Sequence, residues 1–398
     1  MLYKLRVAAS RSAAFQSAAF STSKALNKRY EIACLPGDGI GIEVMDATKI
    51  VLDKLKFDAN LEHGDIGWKI WCNEGDPFPQ RTIDLCKRTD CALFAAITSK
   101  PKDEAARELK PELHGKGFVY SSPIVGMRQL FDLHTNMRPC KAYQGNPLNV
   151  KEDIDLVIFR ENTEGLYAGV EYYPLEDELR STMTKFNKKM AKFDSVSPED
   201  IAITARIITR RGCERIIRSA FEFAKKDGRK TVTVVEKPNV LRETSGLFLR
   251  IAREIAKEYP DIETRETNID AQCMFLVRQP EDFGVMVTSN LFGDILSDLS
   301  AQLIGGLGFA PSANFGDNYA VFEPTHGSAP PLAGKGIANP TAMILTAQMM
   351  LDHLGEKEMA LKLERAVADV LAEGKVQCQD MGGTASTMDM AKAIAAKL

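Results

Sequence analysis

Short apolar runs of strand length alternate with segments of helical period along most of this chain, and that alternation restricts it to an α/β architecture. YEIACL, beginning at Tyr30, runs into the turn at 36–41 and the amphipathic stretch IEVMDATKIVLDKL. CALFAAITSKP and LVIFR read as buried strands, and ITARIITRRG reads as a strand leading into a long amphipathic helix closed by Gly228, a residue suited to a C-cap. TVTVVE is then a further strand followed by another helix. The 398 residues, 44% hydrophobic and 26% charged, suffice for one large or two moderate domains. A net charge of −3 gives no electrostatic case for nucleic acid or an anionic membrane, which leaves a small molecule as the default partner. The 8 cysteines form no C-x-x-C pair and read as reduced and mostly buried, without a zinc site. No apolar run approaches the ~20 residues needed to span a bilayer.

The most informative stretch is 290–308, NLFGDILSDLSAQLIGGLG. Leu291, Ile295, Leu299, Leu303 and Ile304 recur at helical spacing, which sets Asp294 and Asp298 four apart on one helix face. Like charges at that spacing repel, so a hard divalent cation with oxygen ligands would favour them; the alternative for a lone D-x-x-x-D is a solvated acidic face. The apolar helix and the glycines at 305, 306 and 308 make this stretch resemble the signature of the decarboxylating dehydrogenases for isocitrate, homoisocitrate and 3-isopropylmalate. The likeness extends from about Tyr30 to the C-terminus. It implies a two-domain α/β fold of the isopropylmalate/isocitrate dehydrogenase type, not a classical Rossmann fold. A large cofactor-binding domain is expected from residues 29–133 and 305–398, and a small domain from 134–304. The lysine-rich segment near 170–204 resembles the family's dimerisation arm, with a solvated insertion as the alternative.

Two glycine-rich turns bear on the cofactor. The first, PGDGIG at 36–41, is not G-x-G-x-x-G; it reads either as a phosphate turn or as a tight connection. The second lies in EPTHGSAPPLAGKGIANPTA, at 323–342, which resembles the family's cofactor loop. The resemblance puts His326, Gly327, Ser328 and Ala329 on the dinucleotide and Asn339 at the adenine. Pro331 and Leu332 depart from pattern: they lack the cation expected for NADP and the acid expected for the ribose of NAD, and the reading adopted is NAD.

Arg128 and Arg138 stand ten apart, and Arg160 ends the LVIFR strand. Guanidiniums suit bidentate binding of carboxylates, although a surface pair is the plainer reading. In the family, all three positions bind substrate carboxylates, and Ser122 matches a serine that contacts the distal carboxylate of isocitrate. Ile124 and Val125 are instead similar to the apolar pair of the isopropylmalate enzymes. The resemblance also implies that Tyr167 acts as an acid, that Lys237 relays a proton in a neighbouring subunit's site, that Asn239 contacts cofactor or substrate, and that Asp270 joins Asp294 and Asp298 on Mg2+ or Mn2+ across a dimer. The charged segment after Lys100 reads as a loop near the nicotinamide.

The first thirty residues carry Lys4, Arg6, Arg11, Lys24, Lys28 and Arg29 and no acid, a transit-peptide composition over 1–28 that points to the mitochondrial matrix, with a plain basic tail or a plastid address as the alternatives. Together these features predict NAD-dependent oxidative decarboxylation of isocitrate. The alternatives are a 3-isopropylmalate or homoisocitrate enzyme, or a regulatory subunit of an isocitrate hetero-oligomer.

Overall fold

The computed structural model describes residues 29–398; the expected leader lies outside the described residues. Among the described residues there are twelve strands: β1 Tyr30–Gly37, β2 Ala59–His63, β3 Cys91–Ala96, β4 Thr135–Lys141, β5 Asp155–Glu161, β6 Glu171–Tyr172, β7 Ile203–Thr204, β8 Thr231–Glu236, β9 Glu263–Asn268, β10 Val285–Thr288, β11 Ala313–Phe315 and β12 Ala320–Phe322. Ten of them form one sheet in the order β2-β1-β3-β12-β11-β4-β5-β10-β8-β9. The outer groups β2-β1-β3-β12 and β5-β10-β8-β9 are internally parallel, and the antiparallel pairings of β11 and β4 join them.

Parallel strands with helices on both faces must be apolar on both sides, which explains the near-continuous apolar runs in β1, β3 and β5. Alternate residues feed different cores. Ile32, Cys34 and Leu93 face the helices Ile40–Leu55, Thr341–His353, Lys357–Glu373 and Thr387–Ala396, while Ala33, Leu35 and Phe94 pack with Leu85, Cys86 and Met127. In the other half, Val157 and Phe159 pack with the helices Arg210–Asp227 and Thr244–Ala256. The expected helical tail and the C-cap at Gly228 are present.

Two segments differ from expectation. The run ITARI is not a strand of the main sheet; Ile203 and Thr204 pair with β6 in a side ribbon, and Ile207 makes an isolated antiparallel bridge with Gly165. Its Arg206 is drawn to the fully buried Glu236 at 3.0 Å and to Ser289 Oγ at 2.7 Å, which turns the chain inward. The charged segment after Lys100 contains a short helix, Lys102–Arg107. Ala105 packs with Trp71, Leu109 and Tyr120 in a small core of its own, and Lys100 bridges Glu104 at 3.0 Å and Glu108 at 2.5 Å. No helix among the described residues is long and apolar enough to cross a membrane.

Candidate active site

Strand alternation sets Asn136 and Arg138 of β4 and Arg160 of β5 on one face, with Asn136 directly opposite Arg160. The helix Asn290–Leu303 lies against that face. Gly293 allows it to approach: a Cβ there would stand 2.6 Å from Cβ and Cγ of Arg160. Each guanidinium is held by polar groups. Arg160, 1% exposed, donates from Nε and Nη2 to Asn290 Oδ1 at 3.0 and 2.7 Å and pairs through Nη1 with Asp294. Arg138 donates to Ser297 Oγ at 2.6 Å and to Asn136 Oδ1 at 2.7 Å, and it faces Asp298 at 3.3 Å and Asp294 at 3.6 Å. Arg128, on the helix Pro123–Leu130, donates to Glu323 Oε1 at 2.8 Å. Burying a cation costs several kcal/mol unless it is paired, so these acids keep three guanidiniums charged in the interior.

The carboxylates are correspondingly perturbed. Burial would raise the pKa of Asp294, but the Arg160 charge and the hydrogen bond from Tyr167 outweigh it and hold the group below the usual range. Asp298 goes the other way: burial, with the neighbouring Asp294 charge adding to it, prevails over Arg138 and raises it. The Tyr167 hydroxyl donates to Asp294 Oδ2 at 2.5 Å, and the Arg160 guanidinium sits 5.1 Å from its ring centre. Burial and that hydrogen bond raise the Tyr167 phenol.

Asp294 and Asp298 are a hard, all-oxygen donor pair of the kind Mg2+ or Mn2+ takes, and Asp298, with its side chain 60% exposed, is the more accessible. Among the described residues, no three His, Cys, Asp or Glu side chains are grouped to hold a metal. Asp270, the third expected ligand, is instead paired with Lys237 at 2.5 Å, and that hydrogen bond holds its carboxyl below the usual range. Neither Asp270 nor Lys237 hydrogen-bonds or ion-pairs with the arginine–aspartate cluster of the same chain among the described residues.

A cavity of about 160 Å3 adjoins the cluster and is lined by Ile124, Arg128, Arg138, Glu323, His326 and Gly327 among others. It brings two expected substrate residues together with the start of the expected cofactor loop. Ser122 caps the Pro123–Leu130 helix without a side-chain hydrogen bond and does not line this cavity. Asn239 is exposed after the end of β8. In the cofactor loop, the Ser328 carbonyl accepts from Ile40 N at 2.9 Å, its hydroxyl bonds Thr98 Oγ1 at 2.6 Å, and Ala329 takes a positive φ of 39°. The first helical amide, that of Ile40 within PGDGIG, is therefore engaged by the loop, which favours the tight-connection reading of that turn. Asn339 is buried and donates to Asp380 Oδ2 at 3.0 Å, while Pro331 and Leu332 are exposed. Burial holds the His326 imidazole below its ordinary value.

The groups not anticipated are those that hold the arginines, Asn136, Asn290, Ser297 and Glu323, and Asn314, which bonds Asn136 and Glu323 behind them. A buried asparagine inside a strand was the available signal, since an amide there needs partners.

The isocitrate/isopropylmalate dehydrogenase family description matches residues 31–394. The protein DlpA of Legionella pneumophila is 42% identical over 92% of this chain, which spans 58% of that longer protein. A 3-isopropylmalate dehydrogenase of Archaeoglobus fulgidus is 42% identical over 92% of this chain and 99% of its own length. A Drosophila melanogaster protein named as a probable mitochondrial isocitrate dehydrogenase (NAD) subunit alpha is 35% identical, covering 92% and 87%. A solved isocitrate dehydrogenase of Methylococcus capsulatus superposes with a TM-score of 0.80 at 41% identity, covering 92% and 99%. With this sheet, these buried arginines and matches of this length, the chain belongs to the isocitrate/isopropylmalate dehydrogenase family of decarboxylating dehydrogenases.

Proposed function

We propose that this chain oxidises and decarboxylates isocitrate to 2-oxoglutarate with NAD, in a site shared between two copies of the chain. The observation that carries the reaction class is the convergence of Arg128, Arg138, Arg160, Tyr167 and the aspartate pair beside a cavity that His326 and Gly327 also line. Three fixed cations grip a polycarboxylate and hold its hydroxyl-bearing carbon toward the nicotinamide side. A divalent cation held by Asp294 and Asp298, with Asp270 from the second copy, would supply Lewis-acid polarisation of the hydroxyl and of the developing enolate. Lys237, reaching from that second copy, takes the hydroxyl proton as hydride leaves the carbon. After loss of CO2, Tyr167 returns a proton to carbon from its phenolic hydroxyl, which is protonated near neutral pH. Lys237→Met at normal turnover would contradict this relay. His326 to Ala329 and Asn339 hold the dinucleotide, with Asn239 nearby, and the cation-free Pro331-Leu332 supports NAD over NADP. The two-domain division, the dimer through the segment near 170–204 and a mitochondrial destination belong to the same proposal.

A second reading has a specific observation behind it. Ile124, rather than Ser122, lines the cavity beside Arg128. An apolar wall there favours a longer or branched substituent, as in homoisocitrate or 3-isopropylmalate, and one methylene is worth only ~1 to 3 kcal/mol of discrimination. Initial rates of NAD reduction with Mn2+ and each of the three acids, repeated with NADP, decide between them. Preference for isocitrate with NAD supports the first reading; preference for either other acid makes Ile124 part of the selecting wall.

A further inference from the structure

β11 brings one polar side chain to this face that neither the substrate reading nor the cofactor reading uses. Asn314 is 0% exposed and stands opposite Asn136 of β4, which stands opposite Arg160 of β5, so three polar side chains line up across adjacent strands. Both ends of its amide are engaged. Nδ2 donates to Glu323 Oε1 at 2.8 Å and to the Val321 carbonyl at 3.3 Å. Oδ1 accepts from Asn136 Nδ2 at 3.0 Å and from Asn162 Nδ2 at 2.9 Å. Asn162 turns its amide nitrogen this way while its own oxygen stays buried without a partner.

The chain of bonds continues on both sides to a substrate arginine. Asn136 Oδ1 accepts from Arg138 Nε at 2.7 Å, and Glu323 Oε1 accepts from Arg128 Nη2 at 2.8 Å. Arg128 and Arg138, on different elements, are thus linked through three side chains in a fixed donor-to-acceptor order. An uncharged amide accepts at one end and donates at the other, as this order requires, without adding a charge. We propose that Asn314 is a positioning residue that sets the separation of Arg128 and Arg138 and so governs how the polycarboxylate is gripped. This rests on the reading that both arginines bind substrate carboxylates. An ionised aspartate at 314 would match the shape but could not donate, and it would set a second carboxylate against Glu323; a leucine, of similar size, removes the donor whatever the protonation.

The test uses steady-state kinetics on the full chain with whichever acid the rate comparison selects. Asn314→Asp should raise KM for the acid by about tenfold or more, with kcat and the KM for the dinucleotide within about twofold, because uniform substrate binding is what is lost. In a cycle with Arg138→Lys, the double variant should lose about as much as the worse single variant, since both act through one unit. If Asn314→Asp fails to fold, Asn136→Ser, which cuts only the Arg138 branch, should raise the same KM. An unaltered KM in both Asn314→Asp and a folded Asn314→Leu, an unaltered KM in Asn136→Ser, or full additivity in the cycle would overturn the proposal. Arg128→Lys and Arg138→Lys that leave KM unchanged would instead overturn the carboxylate reading beneath it.

Discussion

Arg160 is the side chain on which the site turns, because it is buried and meets the helix Asn290–Leu303 at a point where that helix has no side chain. Gly293→Ala would insert a methyl 2.6 Å from Cβ and Cγ of Arg160 and 3.2 Å from its Cα, the root of the side chain and not a flexible end that can give way. Overpacking of this kind costs about 1–3 kcal/mol, part of it as a shift of Arg160 away from Asn290 and Asp294. We expect kcat/KM for the hydroxy acid to fall by about tenfold or more while the melting temperature drops only a few degrees. Kinetics alongside a thermal melt would check it, and unaltered kcat/KM in a folded variant would refute the packing argument. The spacing of Asp294 and Asp298 and the place of Arg160 at a strand end were legible in the sequence as local features, whereas Arg128 and Arg138 were singled out by family resemblance. Their partners were not: Glu323 meets Arg128 across 195 positions, and Asn314 meets Asn136 across 178. Only the sheet order brings these residues together.

Elements that alternate cleanly were legible, and the exceptions have a shared cause in charge. ITARI has strand composition, yet Arg206 within it finds the buried Glu236 and leaves the sheet. The segment after Lys100 is rich in charge, yet Lys100 screens two glutamates while Ala105 packs under Trp71, and one helical turn forms. The junction into β4 carries a charge effect that can be measured. His134 is 8% exposed, with Nε2 at 3.2 Å from Asp317 Oδ1 and Nδ1 at 2.9 Å from Thr135 Oγ1. Burial, helped by the Arg215 charge and only partly opposed by Asp317, holds its pKa below the ordinary 6.5. The unfolded chain therefore takes up a proton near pH 6.5 that the folded chain refuses. The stability that comes from keeping His134 neutral is complete above pH 6.5 and is lost as pH falls from there toward the depressed folded value. The loss is at most about 1.4 kcal/mol per pH unit for one group. Urea denaturation at pH 7 and pH 5.5 should show a smaller loss of stability for His134→Gln than for the parent; equal losses would mean that His134 titrates alike in both states.

At the scale of the whole molecule, one chain holds two incomplete sets of groups. Arg138, Arg160, Tyr167, Asp294 and Asp298 form one set, and Lys237 with Asp270 forms the other, 2.5 Å apart and bonded to nothing in the first. The side chain of Asp270 is 67% exposed, so it is open to a second copy of the chain. If two copies exchange these sets, each site draws its aspartate pair from one chain and its lysine from the other. Lys237→Met and Asp298→Asn should then each abolish activity alone, for different reasons. Co-expressed with different tags and purified as mixed dimers, they give one site that carries both defects and one that carries neither. A freely assorted mixture should recover about a quarter of the parental sites, and isolated mixed dimers about half, as two-fold symmetry with shared sites requires. Mixed dimers that form, as shown by the two tags on one particle, yet remain inactive would place Lys237 in the site of its own chain and rule out the exchange.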